Sequence, residues 1–305
     1  HNGPPFNEKQ RDGLAYKNSS GKNNDKSTGK FGTGFVTVHV LSKTVYISGD
    51  IYKNGEIKSF SFTMCREGNN KEELEKNIYV TEKSYHEDNE PINLTQFKFP
   101  IQSDLSRKCV ELGLIHFKKN IPNVLINCNN IGCINLIDNK NVAKYSASLK
   151  EQINESIYCY EVLCNEDTKN FLVVKDNEQK IDISIEIDAN KYENDKEIVI
   201  IPRDDDKESL FITFPLIGSK AHILPFYINS PDFHPTTERN GLYLDGPEYI
   251  NDEKTRICKN REILMKSVVL YEKLIQYVKN NGCSNIFELS VGLTSLNMPY
   301  KTFDS

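Results

Sequence analysis

The chain has no apolar run approaching the ~20 residues that a membrane span needs. Its longer apolar stretches, such as Glu197-Ile198-Val199-Ile200-Ile201-Pro202, are strand-sized. It has no excess of basic residues either: 38 Lys and Arg against 43 Asp and Glu leave a formal net charge of −5. No global positive field therefore draws it to nucleic acid or an anionic membrane, and the basic-aromatic interleaving of a single-strand binder is missing. Neither partner is expected, and the expected location is cytoplasmic. Tryptophan is absent, so bulky core material must come from 15 Tyr and 15 Phe. There is no internal repeat, no low-complexity segment, no signal peptide and no initiator Met. The opening His1-Asn2-Gly3-Pro4-Pro5-Phe6 reads as the middle of a longer protein. At 305 residues the chain has length enough for two ordinary domains.

A disulfide scaffold is excluded as well, because eight cysteines are few for a chain of this size. Cys128 and Cys133 form one C-x4-C pair, and Cys159 and Cys164 form another. Zinc pairs are more often spaced C-x2-C, so free thiols facing the core of apolar strands are expected, and no metal. His39, His86, His116, His222 and His234 show no ligand spacing. The acid run Asp204-Asp205-Asp206 is expected to be a solvated hairpin tip and not a metal site.

Periodicity supplies what is present. Asn7 and Gln10 stand in capping-box register for a short helix over 7–16. Residues 17–30 are polar throughout and predict a mobile loop. Residues 45–51 and 58–64 predict two strands, with Asn54-Gly55 as the hairpin signal. Residues 66–91 are charged and turn-rich, and 94–101 alternate as a strand would. Ser103 predicts the cap of a helix with Leu105, Cys109, Leu112 and His116 on one stripe. Pro122 predicts a boundary, followed by short strands at 123–129, 131–137, 157–164, 170–175, 181–187, 197–201 and 209–215. From Pro247 the pattern turns helical, with Ile257, Leu264, Val268, Tyr271, Ile275 and Val278 on a 3–4 repeat that Asn281-Gly282 ends.

The stretch that carries chemistry is Ser27-Thr28-Gly29-Lys30-Phe31-Gly32-Thr33-Gly34-Phe35. Three glycines in six positions let backbone N–H groups approach phosphate oxygens, and Lys30 adds a positive charge to the same turn. A helix beginning at Gly34 would add its dipole. The spacing fails the P-loop pattern, since Phe31 follows Gly29-Lys30. It fails the dinucleotide pattern too, since Thr37 stands where the third glycine belongs.

This segment resembles the lid and glycine box of the GHKL superfamily, the ATP-binding fold of DNA gyrase, histidine kinases, mismatch-repair ATPases and the heat-shock-ninety chaperones. Asn18-Ser19-Ser20-Gly21 would open the lid and Gly29 to Phe35 would close it. His1-Asn2-Gly3 stands where that superfamily has its D-x-G box, with His1 in place of the Asp that reads the adenine amino group. Leu94-Thr95-Gln96-Phe97 matches the strand whose Thr lies near the adenine. Farther on, Phe214 to Ser219, Leu224 to Ser230, Phe233-His234-Pro235 and Glu238-Arg239 look like the sacsin-type branch, and are similar to the chaperone segment that delivers an arginine to the terminal phosphate.

The resemblance implies an α/β (α+β) architecture: part of a GHKL (Bergerat-type) sandwich at 1–122, a second, transducer-like α+β domain at 123–246, and a helical tail at 247–305. It implies ATP binding by His1, Gly3, Asn18, Ser20, the Gly29–Phe35 box and Thr95. Arg239 would sense the terminal phosphate, with Lys220 as the competing cation. The superfamily's water-activating Glu and Mg²⁺-holding Asn would lie upstream of His1, so slow ATP hydrolysis is expected of the intact protein, whereas the chain by itself is expected not to hydrolyse ATP at a meaningful rate. The output would be chaperone-like or regulatory, with protein clients or a second copy as partners. The reading from another class is a non-catalytic interaction module that keeps the fold. The resemblance also predicts that 35–41 is helical despite a period-two pattern at 36–40.

Overall fold

The computed structural model describes residues 1–15, 38–138, 141–188, 198–222, 224–238 and 240–290. They form a mixed α and β protein with antiparallel sheets, dividing into two compact units, 1–115 and 116–305.

The first unit opens with α1 (Glu8–Ala15), whose start is a reciprocal capping box. The Asn7 N–H donates to Gln10 Oε1 at 2.9 Å, and the Gln10 N–H donates to Asn7 Oδ1 at 2.8 Å. Strands β1 (Thr44–Lys53) and β2 (Glu56–Cys65) form the expected hairpin; Asn54 and Gly55 both take positive φ, as a tight two-residue turn requires. The region expected to be turns contains helix α2 (Lys71–Lys83) and strand β3 (His86–Asp88). Asn70 caps α2 by accepting from the Glu73 N–H. The alternating stretch 94–101 contributes only β4 (Gln96–Lys98). The sheet order is β3-β2-β1-β4, antiparallel throughout.

Alternation divides this sheet cleanly. Val45, Ile47 and Ile51 join Phe60, Phe62 and Met64 in a buried cluster, with Phe6, Leu14, Val38 and Phe97 packed against it. Residues 38–40 form a 3-10 turn, so the period-two pattern does not make a strand there; 35–37 lie outside the described residues. An ionic chain ties α1 to the hairpin. Arg11 donates to the Tyr85 hydroxyl, which donates to Glu87 at 2.6 Å, and Lys53 donates to the same carboxylate at 3.1 Å. Burial, reinforced by the bond to Glu87, pushes the Tyr85 phenol up to about 12.

Helix α3 (Asp104–Asn127) begins at its expected cap, where Ser103 Oγ accepts from the Ser106 N–H at 3.0 Å. Leu105 and Leu112 of the expected stripe are exposed. Pro122 does not end the helix, which runs on to Asn127, so the strand expected at 123–129 is helix up to that point. The proline ring removes one donor. Seven consecutive buried residues, 120–126, hold the turn in place by packing.

The second unit is built on a nine-stranded sheet. Its strands are β5 (Cys133–Asp138), β6 (Asn141–Gln152), β7 (Ile157–Cys164), β8 (Asp167–Asp176), β9 (Ile181–Asp188), β10 (Val199–Ile200), β11 (Leu210–Ile212), β12 (Phe214–Pro215) and β13 (Tyr227–Asn229). The order is β12-β11-β13-β9-β8-β7-β6-β5, with β10 on β9. A two-stranded ribbon of β14 (Tyr249–Ile250) and β15 (Glu253–Lys254) precedes helix α4 (Arg256–Asn280), which ends at Asn281-Gly282 as expected. One face of the large sheet packs on α4 through Leu172, Ile183, Ile185, Leu270, Leu274 and Val278. The other packs on the end of α3 through Ile121, Leu125, Val162, Phe171 and Tyr227. Among the described residues, no helix is long and apolar enough to cross a membrane.

Candidate functional site

His1 and Thr95 are 94 residues apart in sequence and form a reciprocal backbone pair. The His1 amine donates to Thr95 O at 2.9 Å, and the Thr95 N–H donates to His1 O at 2.7 Å. Thr95 is 4% exposed. Its hydroxyl lies on the core-facing side of the sheet, where a Cβ on Gly49 would come within 3.3 Å of Oγ1 and 3.4 Å of the Phe60 ring. Gly49 thus leaves room for that side chain. Asp50, also buried, accepts from the Ile92 N–H at 2.8 Å and the Asn93 N–H at 2.7 Å, which fixes the approach to β4.

The His1 ring folds back onto its own turn, where the Gly3 N–H donates to Nδ1 at 3.2 Å. A ring nitrogen that accepts must be unprotonated, so in the neutral imidazole Nε2 carries the proton. In that form His1 presents a donor at Nε2.

Lys220 lies in the second unit on a 3-10 turn (Ser219–Ala221) that a buried polar knot holds. Glu208, 2% exposed, accepts from the Lys220 N–H at 2.8 Å and from Ser219 Oγ at 3.1 Å. The Ser209 hydroxyl donates to Ser219 O at 2.6 Å. Gly218 precedes the turn with φ 95°, and a Cβ there would stand 2.9 Å from Asn240 O. The backbone at 218 and at 240 is therefore in close contact, and only glycine fits.

The neighbouring loop carries Asp206, whose carboxylate accepts from Lys119 Nζ at 3.1 Å. Lys119, then Lys220 and His116, hold that carboxyl below its ordinary range. The acid run is solvated, but it is not a hairpin tip: β10 pairs with β9 and β11 with β12 and β13. Asn18, Ser20, Gly29, Lys30, Phe31, Gly32, Thr33, Gly34, Phe35 and Arg239 lie outside the described residues.

Of the cysteine pairs, Cys159 and Cys164 are five apart on one strand and so face opposite sides of the sheet, Cys159 in the α4-side core and Cys164 against the α3-side core. Among the described residues, no group of three or more His, Cys, Asp or Glu could hold a metal ion.

Sequence reasoning missed Gly49, Asp50, Glu208, Ser209 and Ser219. A Gly-Asp step inside an alternating strand was a legible sign of close backbone approach. The Glu208–Ser219 knot had none, since it joins residues on different segments.

Compared with known proteins, the chain matches no family model and no curated protein.

Proposed function

We propose that this chain is an ATP-binding module of GHKL type, chaperone-like or regulatory in its output. The observation that carries the reading is the His1–Thr95 pair. Two segments singled out by resemblance for one nucleotide pocket, and separated by most of the first unit, meet through two backbone hydrogen bonds. The Thr95 hydroxyl beside Gly49 fits a base-contacting role. Gly29, Lys30, Gly32 and Gly34 would supply phosphate contacts and Arg239 the terminal-phosphate contact, with Lys220 fixed by Glu208 as the alternative cation. Slow hydrolysis belongs to this reading for the intact protein, where it would need a water-activating Glu and a Mg²⁺-holding Asn.

The His1 tautomer favours a second reading, a module that keeps the fold for protein interaction. A donor cannot accept from the adenine amino group, which puts adenine selectivity in question.

Calorimetric titration with ATP and ADP separates the two. ATP should bind the wild type, and Gly32→Val should weaken it by about tenfold or more through loss of phosphate hydrogen bonds. Thr95→Val should weaken both nucleotides equally, whereas Arg239→Ala should weaken ATP more than ADP. Absence of ATP binding by the folded wild type would remove the nucleotide reading. Equal losses for Arg239→Ala and ADP-indifferent behaviour of Lys220→Ala would transfer the phosphate contact to Lys220.

A further inference from the structure

The core-averse face of the first sheet carries a depression of about 220 Å³ that the nucleotide reading does not use. Strand pairing builds it in two rows. Lys98, Tyr46 and Thr63 lie side by side across β4, β1 and β2, and Gln96, Ser48 and Ser61 form the next row. Each of these residues alternates with a core-facing neighbour, so all six point away from the Phe60 and Ile47 core. Ser84 closes the upper end by bonding both the N–H and the O of Thr63.

The chemistry of this surface is one-sided. No carboxylate lines it. Among the described residues, the side chains of Tyr46, Ser48, Ser61, Gln96 and Lys98 have no hydrogen-bond or ion-pair partner. An ammonium with no acid partner among the described residues, next to a cluster of hydroxyls and an amide, suits an oxyanion attached to a hydroxylated body. The half-exposed Tyr46 ring between Lys98 and Thr63 offers an apolar face for a sugar ring. The volume equals about seven waters at ~30 Å³ each, room for one sugar ring.

We propose that this depression binds a small phosphorylated sugar, with Lys98 on the phosphate and Ser48, Ser61 and Gln96 on the ring hydroxyls. The site is on the opposite side of the sheet from the Thr95 hydroxyl and does not depend on nucleotide binding.

The test titrates the labelled protein with glucose 6-phosphate, glucose and inorganic phosphate, and follows the amide signals of residues 46–48, 61–63 and 96–98. Glucose 6-phosphate should shift them saturably and bind more tightly than either fragment. Lys98→Gln, at an exposed position that leaves the fold intact, should weaken it by about tenfold. Ser61→Leu should fill the depression and abolish the shifts while the remaining spectrum is unchanged. Absence of saturable shifts, wild-type affinity in Lys98→Gln, or equal affinity for inorganic phosphate would each overturn the proposal.

Discussion

Gly218 and Gly55 have similar backbone geometry and opposite surroundings. Both lie at positive φ, 95° and 86°, but a Cβ at Gly55 meets open space and one at Gly218 meets Asn240 O at 2.9 Å. Gly55→Ala should therefore cost only the left-handed strain, about 1 kcal/mol. Gly218→Ala should cost about 3 kcal/mol, because a carbonyl must also be displaced. Urea midpoints of the two variants measure the difference, and equal losses would mean that the 218–240 contact yields freely. Sequence gives Gly55 away through Asn54-Gly55, a local signal. It could not give Gly218 away, because the atom that requires a glycine belongs to a residue 22 positions later.

Elements with a strong local signature were legible. Strands β7, β8 and β9 follow expected boundaries closely, since each presents alternating faces to two apolar layers. Helix α2 was not legible: Thr81 is its buried residue, so it carries little apolar contrast. Strand β6 was missed for a similar reason, being mostly exposed over twelve residues. On α4 Tyr271 and Val278 of the expected stripe are buried, whereas Ile263, Ser267 and Leu274 are buried one position before its Leu264, Val268 and Ile275. The α1 cap, in contrast, was fully written in Asn7 and Gln10. Asn7→Ala should cost about 1 kcal/mol and speed amide exchange at residues 10–12. Unchanged exchange there would show that α1 is held by the Arg11–Tyr85–Glu87 chain alone.

His39 in the first unit and His222 in the second are histidines whose burial disfavours the charged form. His222 lies below its ordinary 6.5 through burial alone. His39 is lowered chiefly by burial, against its bond to Ser42 O, with a smaller push from Arg66. Because the folded value is the lower one, their stabilising contribution is present above about pH 6.5 and is lost as pH falls through the folded value. Melting temperature should thus drop between pH 7 and 5, and His39→Gln with His222→Gln should flatten that drop. An equally steep drop in the double variant would assign the acid sensitivity to other groups. At this scale the sequence was least informative. The order of the motif residues was readable, but the pairing of His1 with Thr95 and the Glu208–Ser219 knot depend on topology.

That pairing also bears on the order of folding events. Joining points 94 residues apart costs about 4 kcal/mol of chain entropy by the logarithmic closure law, before any contact rewards it. The β1–β2 hairpin, closed by a two-residue turn, carries almost none of that cost. The hairpin is therefore the early event in the first unit, and the His1–Thr95 seam the late one. In refolding, the amide of Thr95 should gain protection after those of β1 and β2. The junction of the N-terminal segment with β4 then exists only once the rest of its unit is in place.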